Sequence, residues 1–147
     1  MIMRNIKEQT ESIQLGIYCD IICGILQSHE NLSICKTLTF SYLIKQNKFL
    51  GGTIYTAKNT QDVVFKGVSL LSGDFDGFCN SVPYILKALH ILISKNVVIS
   101  ENDMLKLTNS SLGFDLVYEE SNFIKKAIEE SKAMTDRQFL KEVTYNV

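Results

Sequence analysis

The chain has little in it that would divide it. Its 147 residues hold a single proline, Pro83, and no stretch rich in glycine and serine, so no linker is visible and one domain is expected. It also lacks a long apolar run. The longest, Ile17 to Leu26, contains Asp20 and falls well short of the about 20 apolar residues of a membrane-spanning helix. The opening MIMRNIKEQTESIQLG is polar and mixed in charge, without the apolar stretch of a secretion signal. Neither charge dominates: 15 basic residues against 16 acidic ones leave a net −1, which argues against a freestanding polyanion binder. No internal repeat is found at periods of about 20 to 50 residues. A cytoplasmic, globular protein is expected, since 46% apolar and 21% charged residues are ordinary proportions for such a chain.

Motifs for catalysis are missing too. G-x-x-x-x-G-K-[ST], G-x-G-x-x-G and G-x-S-x-G do not occur. The four cysteines, Cys19, Cys23, Cys35 and Cys79, include no C-x-x-C pair. Cys19 and Cys23 share a helix face, but a structural zinc needs four ligands, and nothing in the spacing gathers Cys35, Cys79, His29 or His90 around them. Reduced, buried thiols are the expectation. Cys79 and His90 stand eleven residues apart on one helix, about 16 Å along its axis, too far for a nucleophile and its base. His29 falls in the turn after the first helix. Asp74 and Asp76 flank Phe75 in a glycine-bounded turn; the later ligands of a calcium loop are absent, and turn chemistry accounts for the pair. No catalytic residue, metal or cofactor is expected.

What is present is helical periodicity. Residues 1–11 read as a flexible lead-in. Ile13, Ile17, Ile21 and Ile25 then predict a helix over 12–28, apolar on several faces and therefore central. Ser33, or Asn31 before it, caps a second helix over 33–47 carrying Ile34, Leu38, Tyr42 and Leu43. Residues 53–73 read as a loop or short strand and then a short helix. A third long helix is predicted over 78–96, with Ser81 as cap and Pro83 in the first turn, where the missing N–H costs nothing. NVVIS (96–100) and MLKLT (104–108), joined by Glu101-Asn102-Asp103, form a β-hairpin signal. A C-terminal helical tail occupies 119–147: Phe123, Ile124, Ala127 and Ile128 make an amphipathic stripe, and Thr135-Asp136-Arg137-Gln138 is a capping box that starts a last short helix. The fold class is thus mainly α with a small β-hairpin. Three helices followed by a hairpin is the element order of a winged helix, here a single winged-helix-like domain with an amphipathic C-terminal helix.

Amphipathic C-terminal helices either close a core or dock a partner. For docking, the candidates are Phe123, Ile124, Ile128, Phe139, Leu140 and Tyr145. The aromatics near turns and ends, Phe75, Phe78, Tyr84, Phe114, Tyr118, Phe139 and Tyr145, fit interface centres and core plugs equally well. Charge is uneven along the chain. Lys36, Lys45, Lys48, Lys58 and Lys66 against Asp62 give residues 31–73 a local +4, leaving −5 for the remainder. These lysines are candidates for contact with a DNA backbone, weak, salt-sensitive and without base reading, or they are a solvated helix face.

Three blocks, LTFSYLIKQNKF, FCNSVPYILKALHILISKNVVISENDMLKLT and FIKKAIEESKAMTDRQFLKEVTYNV, give the chain an order that resembles the small middle component of bacterial ABC-three-component systems, the group that includes Lamassu-type anti-phage defence. Together they cover most of the chain. The resemblance implies a non-catalytic, winged-helix-like adaptor in a hetero-oligomer with an SMC/Rad50-like ATPase and an effector, often a nuclease. It implies no catalytic residues. The competing expectation is a stand-alone winged-helix transcription regulator acting as a homodimer on duplex DNA.

Overall fold

The computed structural model describes residues 2–46, 74–108, 118, 120 and 122–144. Among these, five helices and three strands follow one another: α1 (Ile2–His29), β1 (Asn31–Ser33), α2 (Ile34–Lys45), α3 (Phe75–Ser94), β2 (Val98–Glu101), β3 (Met104–Leu107), α4 (Asn122–Ser131) and α5 (Asp136–Thr144). The result is a mainly helical domain with a small antiparallel sheet, as the periodicities predict.

The apolar stripe expected in α1 is buried from Tyr18 onward, and the six residues 21–26 are buried on every face. The helix starts at Ile2, however, where the sequence reading places a lead-in over 1–11. Its polar first half is supported by local bonds, Thr10 Oγ1 donating to Ile6 O and Ser12 Oγ to Glu8 O, and by an ion pair of 2.5 Å from Glu11 to Lys87 on α3. Glu30, at φ 66°, takes the left-handed turn that ends the helix. Ser33 then caps α2 as expected, its hydroxyl accepting from Lys36 N–H at 3.4 Å. Thr37 and Thr39 lie inside the core because their hydroxyls return bonds to the carbonyls of Ser33 and Cys35.

α3 departs from expectation at its start. It begins at Phe75, six residues before the anticipated cap Ser81, so Pro83 lies within the helix. Tertiary contacts outweigh the proline. The Tyr42 hydroxyl donates to Asp74, and the Tyr42 ring meets Phe78 edge-on at 5.6 Å. Pro83 is exposed, as is Cys79 one turn before it. Of the four thiols expected to be buried only Cys23 is; Cys19 and Cys35 are half-buried and Cys79 is exposed, and all four are free.

The hairpin forms where predicted, with Glu101 opposite Met104 and Val98 opposite Leu107. Asn102 and Asp103 both have positive φ, the conformation of a two-residue turn whose twist matches the strands. A third strand joins it: β1 pairs antiparallel with β3, Leu32 opposite Leu105, giving the order β1-β3-β2. Leu32, Leu105 and Val98 point into one core shared with Ile22 and Ile25 of α1, Phe40 of α2, Ile85 and Leu89 of α3, Ile128 of α4 and Phe139 of α5. No helix among the described residues is long and apolar enough to cross a membrane.

Candidate functional site

The C-terminal tail is fastened to the helical core through a group of polar side chains, some buried and some at the surface. His29, last residue of α1, is 4% exposed and stands between two carboxylates. Its Nε2 lies 2.7 Å from Glu120 Oε2, and its Nδ1 lies 3.1 Å from Glu129 Oε2 on α4. Lys132, just beyond α4, donates to the His29 carbonyl at 2.5 Å and pairs with Glu129 at 3.0 Å. Nearby, the Tyr118 N–H donates to Asp20 of α1 at 3.0 Å. Lys36 of α2 reaches past the core to the Met134 carbonyl at 2.6 Å, between α4 and α5. The segment from Tyr118 to Met134 is thus tied to α1 and α2 by directed bonds.

Electrostatics follow from this packing. Burial alone pushes His29 toward its neutral form, but the hydrogen bond and charge of Glu120, then those of Glu129, outweigh it and raise the imidazole above its ordinary value. Burial raises Glu129 somewhat, and its bonds to Lys132 and His29 more than reverse that, so its carboxyl is held below the usual range. Burial lowers Lys36, opposed by the charge of Asp136. A second polar contact joins α2 to α3: burial and the bond to Asp74 push the Tyr42 phenol well up, so it remains a donor. Beside it Tyr18 is fully buried, with the Lys45 ammonium 5.4 Å from its ring centroid.

The sequence candidates separate on this frame. Ile124, Ile128 and Phe139 are buried in the chain's own core, Phe139 against Phe40 at a ring distance of 5.6 Å. Of the two roles open to an amphipathic tail, these three close the core and offer no surface to a partner. Phe123 is half-buried, Leu140 is 41% exposed, and Tyr145 lies outside the described residues. Lys36 is a correction: its ammonium is bonded to a carbonyl inside the protein and is not available to a phosphate. Lys45 is half-buried over Tyr18, and burial lowers its pKa. Lys48, Lys58 and Lys66, like Phe114 and the stretch 53–73, lie outside the described residues. His90 is exposed on α3, within 3.5 Å of Ser94. Among the described residues no group of three His, Cys, Asp or Glu side chains is arranged to hold a metal.

A cleft of about 320 Å³ opens between β1, the hairpin turn and the link from α4 to α5, lined by Ser33, Lys36, Asp103, Lys132 and Asp136 among others. Both of its lysines are already bonded to backbone carbonyls, so it holds no uncommitted cation for an anionic ligand. The sequence offers His29 as a zinc ligand or a catalytic base and gives no sign of its clamp, because Glu120 and Glu129 are 91 and 100 residues away. The one local signal is a histidine in the last turn of a helix, where the helix dipole favours a cation. Compared with known proteins, the chain matches no family, no curated protein and no solved structure.

Proposed function

We propose that the chain is a non-catalytic, winged-helix-like adaptor of an SMC/Rad50-like ATPase complex in anti-phage defence, holding the ATPase and an effector subunit together in the cytoplasm. The observation that carries this reading is β1. These three residues between α1 and α2 pair with β3, so the hairpin belongs to a three-stranded sheet with β3 in the middle and a first strand drawn from between the helices, an arrangement like that of a winged helix. The polar groups support the same reading from the other side. Of the buried ones, Lys36 bonds the Met134 carbonyl and His29 meets the carboxylates of Glu120 and Glu129, contacts that fasten elements together as a scaffold requires. The exposed face of α3 includes Lys87 but no arginine, with Lys95 just beyond its end, and Lys87 is paired with Glu11, which favours a protein partner over a DNA duplex. In the tail, the docking surface narrows to the exposed side of α5 around Leu140.

Co-expression of the full chain with an SMC/Rad50-like ATPase encoded by a neighbouring gene, which the proposal requires, is the test. A stable co-purifying complex is expected. Leu140→Asp should abolish it while leaving the melting temperature of the isolated chain within a few degrees, as expected of a surface change. Turnover of a substrate by the purified chain alone, or its elution as a lone monomer from the co-expression, overturns the reading.

A further inference from the structure

We propose that His29, Glu120, Glu129 and Lys132 form a proton-operated latch: a protonated His29 holds the C-terminal helices on α1, and a neutral one loosens them. The inference stands whatever partner the chain has. A carboxylate only accepts hydrogen bonds, and a neutral imidazole carries a single N–H. Both ring nitrogens of His29 face carboxylate oxygens, at 2.7 and 3.1 Å, so both contacts are hydrogen bonds only when the ring is the imidazolium. The site is closed enough for this to matter. Glu120 is 6% exposed, and its second oxygen is buried with no hydrogen-bond partner among the described residues, so the His29 cation is what balances that charge. Glu129 is 54% exposed, so water can replace His29 there. A neutral ring therefore keeps its one N–H on Glu120 and releases Glu129, near the C-terminal end of α4.

Among the described residues, the charged groups facing His29 come from three places. From the segment before α4 comes Glu120, from α4 Glu129, and from the link beyond it Lys132, which bonds the His29 carbonyl and Glu129. On its own side Glu30 follows in sequence and is exposed. Because the folded chain raises the pKa of His29, the clamp contributes its full stability below the ordinary value of 6.5 and loses it as pH rises through the raised value. The stretch freed first carries Ile124, Ala127 and Ile128, the stripe now buried in the core.

Amide hydrogen exchange on the full chain reads this directly. Exchange is compared at about pH 5.5 and about pH 9, on either side of the histidine range, after correction for intrinsic rates. Protection of residues 122–144 relative to the α1 core is expected to fall about tenfold for each unit by which the His29 pKa is raised. Glu129→Gln separates a latch from a static support. Its amide can donate to an unprotonated Nδ1 or accept from a protonated one, so the loss of protection with pH should be clearly smaller than in the unaltered chain, the remainder coming from Glu120. In His29→Gln, protection should be low and equal at both. Loss of protection with pH in Glu129→Gln as large as in the unaltered chain, or no change with pH in the unaltered chain, overturns the proposal.

Discussion

Gly77 shows what one absent methyl group does. A Cβ built there would sit 2.6 Å from the Tyr42 hydroxyl and closer still to an Asp74 carboxylate oxygen, so the glycine makes room for the bond that joins α2 to the start of α3. Gly77→Ala forces those two side chains apart. Losing a hydrogen bond to a charged acceptor costs about 1.5–3 kcal/mol, and the better helix propensity of alanine returns about 1 kcal/mol. A net destabilisation of roughly 1 kcal/mol in urea unfolding is expected. In a Tyr42→Phe background the bond is already gone and Asp74 is free to swing away. There Gly77→Ala should stabilise by up to about 1 kcal/mol, a reversal of sign. If the two changes simply add, the steric link between them is wrong. The sequence displayed Asp74, Asp76 and two glycines, and local chemistry read them as a turn. Tyr42, 32 residues earlier, made Asp74 a tertiary anchor, and no local pattern carries that information.

Elements were legible where their cause is local. The Ser33 cap and the Thr135–Gln138 box rest on spacings of three residues, and the structure has both. Gln138 N–H donates to Thr135 Oγ1 at 3.2 Å and Thr135 N–H to Gln138 Oε1 at 2.9 Å. The hairpin was legible too, since its turn and both strands lie within twelve residues. β1 was not. Asn31-Leu32-Ser33 is too short to alternate, and it becomes a strand only because β3, more than 70 residues later, offers an edge. The start of α3 was missed for the same kind of reason: Pro83 marks a first turn only if nothing upstream is fastened, and Asp74 and Phe78 are. The hairpin can be improved by its own rule. Asn102 and Asp103 both adopt positive φ, and glycine at the second position relieves the strain of the aspartate. The Asp103 carbonyl accepts from Ile34 N–H at 3.1 Å, a backbone bond that the substitution keeps. Asp103→Gly should therefore raise stability by about 0.5 kcal/mol, moving the denaturation midpoint without changing the slope.

At the scale of the molecule, the question is whether the tail is a separate arm or part of the one core. Its docking candidates were chosen for apolarity, which cannot distinguish a face turned to a partner from a face turned inward. Phe139 decides it. The ring is fully buried, 5.6 Å from Phe40, and Phe40 belongs to the same cluster as Ile22 and Ile25 of α1 and Leu105 of the sheet. Removing it opens a cavity at the junction of α2 and α5. A buried phenylalanine cut to alanine costs about 3–5 kcal/mol, a large share of the about 5–15 kcal/mol that holds a domain of this size together. If the tail shares the core, Phe139→Ala lowers the single unfolding transition of the whole chain by that amount, with near- and far-ultraviolet dichroism lost together. An independent arm would instead give a second, earlier transition that leaves α1, α2 and the sheet unchanged. The same burial makes Phe139→Asp unsuitable as a docking probe, because an unpaired charge in that position unfolds the protein that the partner would have to recognise.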